Sequence, residues 1–183
     1  MTIAFVHRHV LEDHITGFET KPNAHHLTVP RHPTILTVLA HAGMEVAVGA
    51  ALANIEGVSV RFCGPAEWLC VSETVSAEAL LRLVREIGEA SAFDHSDGRV
   101  LLQIIGPNVR KILAKCLAVD PHPEAFAIGR SANMLVAHVS GNLARTGENA
   151  FEIIVPRSYA GVVFEELKEM GREFALTAGF SGA

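Results

Sequence analysis

Apolar residues recur at two different spacings along the chain. Runs with alternating or continuous apolar positions predict strands at residues 35–40, 58–62, 68–72, 100–105, 133–139, 142–145 and 151–155. Three- to four-residue spacing predicts helices at residues 44–53, 76–88, 107–113 and 157–174. Strands and helices alternate, so the pattern predicts a mixed α+β protein.

A short unit occurs twice in this pattern. Gly64-x-x-x-Trp68-x-x-Val71 precedes one predicted helix, and Gly147-x-x-x-Phe151-x-x-Ile154 precedes another. Each half then reads strand, helix, strand, strand, helix, as in a split β-α-β unit. We therefore predict two ferredoxin-like halves with antiparallel sheets, at residues 34–95 and 96–183, and an extra loop near residues 116–130.

Residues 1–33 differ from the rest of the chain. They hold six of the ten histidines and three prolines but no sustained apolar period, which predicts an extended N-terminal arm. Two histidine groups are candidate zinc ligands: His25, His26 and His32, or His7, His9 and His14. Because no ordered element is evident to aim these side chains, we favour an arm that binds a partner.

Charge and cysteine content narrow the classes of function. The 183 residues carry a net charge of −5, and the fifteen basic residues form no stripe, which disfavours nucleic acid as a partner. Three cysteines without C-x-x-C spacing predict reduced thiols in a cytoplasmic protein. His41, Glu45 and Asn54 interrupt the long apolar tract at residues 34–55, which disfavours a membrane span.

Candidate chemistry is sparse. Asp94-His95-Ser96-Asp97 contains the residue types of a hydrolase triad, but capping of a turn is the better interpretation of neighbouring residues. Lys115 could activate Cys116, although a buried small side chain fits the helical pattern as well. Trp68 and Phe151 could form an aromatic ligand site but are more typical of core positions. We predict no catalytic, cofactor-binding or metal residues in this chain.

Several short motifs in series resemble one known family. They are Gly64-Pro-Ala-Glu-Trp-Leu69, Ser96-Asp-Gly-Arg-Val100, Gly106-Pro107, Lys115-Cys116, Asp120-Pro-His-Pro123 and Val155-Pro-Arg-Ser-Tyr159. In order and spacing, across about residues 35–175, they resemble the gamma subunit of heterotetrameric sarcosine oxidase. That family usually has a glycine between the lysine and the cysteine, and its absence here predicts that the helix continues through Lys115 and Cys116.

The resemblance carries expectations about fold, activity and partners. It implies a fold like that of the folate-dependent aminomethyltransferases and a complex that oxidises sarcosine to glycine. In such complexes the alpha and beta subunits hold NAD, FAD, covalent FMN and the tetrahydrofolate site, and the delta subunit holds zinc. This chain would then be a non-catalytic gamma-type subunit that docks through Asp120–Pro123 and Arg157–Tyr159. The alternative is a free-standing folate-binding one-carbon transfer protein, in which Trp68 or Phe151 stacks on the pteridine.

Overall fold

The computed structural model describes residues 8–15 and 21–181. Its helices are α1 (Glu12–Ile15), α2 (Glu45–Ala53), α3 (Ala77–Ile87), α4 (Val109–Leu113) and α5 (Ala160–Gly171). Its strands are β1 (His26–Val29), β2 (Thr34–Ala40), β3 (Ser59–Gly64), β4 (Glu67–Ser72), β5 (Ala90–Asp94), β6 (Arg99–Ile105), β7 (Ser131–Val136), β8 (Val139–Gly147), β9 (Ala150–Pro156) and β10 (Thr177–Phe180). Two 3-10 turns, Arg157–Tyr159 and Arg172–Phe174, flank α5.

The smaller sheet has the strand order β3-β4-β2-β5, with every pair antiparallel. Helices α2 and α3 cover one of its faces through a core that includes Leu36, Leu52 and Leu80. Ser76 caps α3 as predicted, because its Oγ accepts a hydrogen bond from the Ala79 amide at 3.3 Å. This is the ferredoxin-like arrangement expected from the sequence pattern.

The larger sheet has the order β10-β1-β6-β9-β8-β7. Its β6, β8, β9 and β10 repeat the ferredoxin-like order, but β1 is inserted between β6 and β10. Strand β1 runs antiparallel to β6 and parallel to β10. Helices α4 and α5 pack on the outer face of this sheet, where Phe151 and Phe164 are fully buried.

The repeated glycine unit forms the same hairpin in both sheets. Gly64 pairs with Glu67 after a β-bulge at the end of β3, and Gly147 pairs with Ala150 after a β-bulge at the end of β8. In each case two residues close the turn, an aromatic strand follows, and a helix comes next. The prediction of a supersecondary unit that occurs twice is confirmed.

The inner faces of the two sheets pack against each other. Ile35, Leu69 and Val71 of the smaller sheet contact Leu101 and Ile154 of the larger sheet, and all five are at most 4% exposed. The protein therefore has four layers, in the order helices, smaller sheet, larger sheet, helices. No helix within the described ranges is long and apolar enough to cross a membrane.

The N-terminal segment differs from the prediction of an extended arm. Residues 26–29 are an inner strand of the larger sheet, and Leu11, Leu27 and Val29 are completely buried. The apolar positions that anchor the segment are few and lie between histidines and prolines, so the sequence shows no apolar period there.

Strands β5 and β10 were also missed by the sequence pattern, since both contain alanine and small or polar residues. The division into domains at residues 34–95 and 96–183 stays a prediction.

Candidate functional site

Strand β1 places two of the candidate histidines inside the protein. His25 and His26 are each 6% exposed. The Nε2 atom of His25 accepts a hydrogen bond from the Asn108 amide at 3.1 Å, and Nδ1 of His26 lies 2.7 Å from Oγ1 of Thr177. Burial lowers the pKa of His26 below its ordinary value. These imidazoles join β1 to α4 and β10, so an ordered element does position them.

The other N-terminal histidines do not converge on these two. His9 is buried against the edge of the Phe180 ring, and its Nδ1 accepts the Leu11 amide at 3.1 Å. Nδ1 of His14 lies 2.9 Å from Oε1 of Glu165 on α5. His32 is exposed, and His7 lies outside the described residues. Within residues 8–15 and 21–181, no three His, Cys, Asp or Glu side chains are grouped to hold a metal ion.

The Asp94-His95-Ser96-Asp97 segment forms a hydrogen-bonded turn between β5 and β6. Ser96 Oγ donates to Asp94 Oδ1 at 2.6 Å and accepts the Ile35 amide at 3.0 Å. The Ser96 amide also donates to Asp94 Oδ1 at 2.9 Å. The turn-capping interpretation is confirmed, since Asp94 closes the turn and the Ser96 hydroxyl ties it to β2.

Burial disfavours ionisation of the cysteine thiols. Burial raises the pKa of Cys116 to about 11, with Glu166 adding to the rise and Lys115 opposing it. Lys115 instead pairs with Glu173 through its Nζ. Burial likewise raises the pKa of Cys70 to about 12.

Helix α4 ends at Leu113, and residues 114–116 form a turn, so the predicted continuation of the helix through Lys115 and Cys116 is wrong.

The two aromatic residues of the repeated unit have different surroundings. Phe151 is fully buried beneath α5, as expected for a core residue. Trp68 is only partly buried and lies so close to Gly49 that an added Cβ there would be 3.2 Å from the indole ring. Together with Phe62 and Asn133, Trp68 lines a cleft of about 660 Å³ between β3 and β7.

A buried ion pair links the two sheets, and the sequence pattern did not predict it. Arg61 on β3 is 1% exposed, and its Nη2 donates to Oε2 of Glu152 on β9. Gln103 on β6 donates to the other Glu152 oxygen at 3.0 Å. The alternation of apolar and polar residues along β3 places the Arg61 side chain on the face of the smaller sheet that is away from the helices. That face is buried because the larger sheet packs against it.

Exposed apolar side chains lie on the two segments expected to dock a partner, or next to them. Val119 and Ile128 flank the Asp120–Pro123 loop and are 40% and 58% exposed. Tyr159 and Val162, at the start of α5, are 53% and 55% exposed. Arg145 Nη1 donates to the Phe126 carbonyl at 2.9 Å, which anchors the chain between Pro123 and Ile128. Each segment presents apolar side chains at the surface.

Sequence comparisons find sarcosine oxidase gamma subunits and aminomethyltransferases among the relatives of this chain. The family model described as "Sarcosine oxidase, gamma subunit family" matches residues 32–173. A sarcosine oxidase subunit gamma from Corynebacterium sp. (strain P-1) is 30% identical over 135 residues, which is 73% of this chain and 66% of that protein. The same subunit from Corynebacterium sp. (strain U-96) is 29% identical, over 76% of this chain and 69% of that protein. The chain thus spans about two thirds of the length of these curated relatives.

Solved structures share the fold. A chain of heterotetrameric sarcosine oxidase from Corynebacterium sp. U-96, in complex with pyrrole 2-carboxylate, superposes with a TM-score of 0.78 at 24% identity, covering 92% of this chain and 96% of that chain. Glycine cleavage system aminomethyltransferase T from Bartonella henselae gives a TM-score of 0.59 at 19% identity, covering 93% of this chain but 50% of that chain. The expected aminomethyltransferase-like, ferredoxin-like fold is confirmed.

Proposed function

Because the chain belongs to the sarcosine oxidase gamma subunit family, we propose that it is a non-catalytic, gamma-type subunit of a sarcosine oxidase-like complex. The observation that carries the proposal is the family match over residues 32–173, which extends from just before β2 to the end of α5. In this proposal, alpha, beta and delta subunits carry out the oxidative demethylation of sarcosine to glycine, and this chain stabilises their assembly.

The roles of the candidate reactive groups support a structural part for the chain. The Ser96 hydroxyl holds a turn, and the Cys116 thiol has a pKa of about 11. His25 and His26 join β1 to its neighbours. Side chains that are committed to the fold in this way are poor nucleophiles and bases. We therefore propose that FAD, FMN, NAD and tetrahydrofolate are held by the partner subunits.

We also propose that the complex works in the cytoplasm. Cys63, Cys70 and Cys116 are all free thiols. Burial raises the pKa of each of them above its ordinary value, which keeps the thiols protonated and slow to oxidise. Reduced cysteines are typical of proteins that remain in a reducing compartment.

Two exposed apolar segments, one at Ile128 and one at Tyr159, are the proposed docking segments. Both side chains are more than half exposed, and both lie on or beside segments whose motifs match the family. Apolar and aromatic residues at the centre of an interface contribute most of its binding free energy. We propose that these residues are buried against the flavin-bearing subunits.

Copurification tests this function. The tagged chain is expressed with its chromosomal neighbours, and we expect flavin-containing chains in constant ratio to it. Tyr159→Asp and Ile128→Asp each place a charge on one of the two docking segments, and each is expected to reduce the recovered flavin by about ten-fold. Val46→Asp on α2, where the native side chain is 87% exposed, is the matched control and should leave recovery unchanged. Recovery of the chain alone, without flavoprotein partners, would contradict the proposal.

One observation favours a second candidate function, that of a free-standing folate-binding protein. Trp68 is partly exposed and lines a cleft whose volume, about 660 Å³, lies in the range of sites for drug-sized ligands. An indole at a cleft wall can stack on a flat heterocycle. Titration with tetrahydrofolate while Trp68 fluorescence is recorded tests this. A saturable response would favour this candidate, and a flat response with flat calorimetry would remove it.

A further inference from the structure

A recess with a basic wall lies where three parts of the chain meet, away from the Trp68 cleft. Its volume is about 270 Å³, enough for about nine water-sized groups. Arg31 follows β1, Arg99 is the first residue of β6, and Arg157 begins the turn after β9. Strand pairing places Arg99 opposite Pro156, so the last two arginines are close neighbours.

The recess has a buried floor and stiff sides. Val100, Thr34 and His9 are 2%, 7% and 6% exposed, so the floor lies below the surface of the protein. Pro30 and Pro33 are buried and also line the recess, and their fixed φ angles restrict the backbone of this segment. The shape therefore belongs to the packed fold and does not depend on a single surface side chain.

Most side-chain N–H groups of the three arginines have no hydrogen-bond acceptor among the described residues. Arg31 Nη1 donates to Glu12 Oε2 at 3.3 Å, and Arg157 Nη2 donates to the Arg8 carbonyl at 3.1 Å. The Arg99 side chain makes no hydrogen bond or ion pair with another residue in the part of the chain that the structure describes, whereas its amide donates to the His95 carbonyl at 3.0 Å. Because a guanidinium has five N–H donors, several remain available in this wall.

The electrostatic balance favours an anion. Three arginines and the Asp97 carboxylate line the recess, a formal charge of +2 when His9 and His32 are neutral, and Glu12 beside Arg31 reduces the local excess to +1. Ser76 and Ala77, at the N-terminus of the eleven-residue helix α3, also line the recess. The first amides of a helix lack intrahelical partners and add partial positive charge.

We propose that this recess binds a small oxyanion, a molecule that carries a carboxylate or a phosphate group. Guanidinium forks match the paired oxygens of both groups and bind them more strongly than a neutral hydrogen bond would. Arg99 is the principal ligand, and Arg157 and Arg31 flank it. The site belongs to this chain alone, so its test does not depend on the subunit function proposed above.

Calorimetric titration of the full chain tests the proposal. Inorganic phosphate and succinate are titrated separately, and sodium chloride at matched ionic strength gives the baseline. Saturable binding of either anion to one site is the expected result, and the anion that binds identifies phosphate or carboxylate as the preferred group. Heats equal to the chloride baseline for both anions would overturn the proposal.

Variants assign the binding to this recess. Arg99→Gln is expected to weaken binding by about ten-fold or more, because a charge-assisted hydrogen bond is lost. Arg157→Gln is the second variant, and circular dichroism checks that each variant is folded. Arg85→Gln, at the opposite end of α3, removes the same charge from an exposed position and should leave affinity unchanged. Equal weakening in Arg85→Gln would show general charge screening and would contradict the assignment.

Discussion

Among the described residues, Arg61 is the largest side chain that is almost fully buried, and it carries a charge. Burial lowers its pKa while Glu152 raises it, through charge attraction and the hydrogen bond between them. Nε and Nη1 of Arg61 have no hydrogen-bond partner among the described residues. The inner face of the smaller sheet therefore depends on one carboxylate from the larger sheet to compensate for a desolvated cation.

Loss of that carboxylate is expected to be costly. Glu152→Ala leaves the guanidinium buried without its counter-ion, so we expect the free energy of unfolding to fall by about 3–5 kcal/mol. Urea unfolding followed by circular dichroism measures the change. The double variant Arg61→Met, Glu152→Leu should recover most of the loss. Glu169→Ala, which breaks an exposed pair with Arg172, is the control and should have no measurable effect. A Glu152→Ala protein as stable as the native one would contradict the role assigned to this pair.

His26 predicts how stability depends on pH. Burial lowers its folded-state pKa below the ordinary value of 6.5, so the unfolded chain binds the proton more readily. Its contribution is therefore complete above pH 6.5 and is lost as the pH falls from 6.5 towards the lower folded-state pKa. Unfolding measured at pH 7.5, 6.5 and 5.5 should show this decline. In His26→Asn the slope should be smaller than in the native protein. If the free energy of unfolding of His26→Asn depended on pH as strongly as that of the native protein, this explanation would be wrong.

At the scale of elements, the sequence predicts best where many residues share one period. Helix α5 lies within the predicted residues 157–174, and α3 begins at the predicted cap, Ser76. Both hairpins of the repeat were also predicted, because glycine and the following aromatic strand are local signals. Strand β1 could not be predicted in this way, since its four residues are recognisable only once β6 and β10 lie on either side of it.

The turn after β6 packs against the start of β1 and requires a glycine at position 106. Gly106 has a φ of +143°, and an added Cβ would lie 2.5 Å from the His25 ring and 2.8 Å from the Ala24 carbonyl oxygen. Gly106→Ala is therefore expected to destabilise the protein by about 2 kcal/mol or more, from backbone strain and displacement of β1. Thermal unfolding measures the loss. Gly64→Ala is the matched control, because no atom lies within 4 Å of the Cβ it would add. Equal stability of the two variants would contradict this account of the β1 junction.

At the scale of the whole molecule, the candidate sites depend on contacts between residues that are distant in sequence. Arg31, Arg99 and Arg157 share no motif, and only the pairing of β6 with β9 and the insertion of β1 bring them to one recess. The Arg61–Glu152 pair likewise requires two sheets to face each other. Sequence motifs predicted the family and the fold, whereas the buried polar groups could be located only in the folded chain.

The mass of the particle that contains this chain tests most directly whether the fold serves as a subunit. The chain alone has a mass of 19.6 kDa. After co-expression with its chromosomal neighbours, sedimentation velocity is recorded by protein and by flavin absorbance. We predict that the chain sediments with flavin in one particle several times heavier than itself. A chain that sediments at its own mass, apart from all flavin absorbance, would contradict the claim.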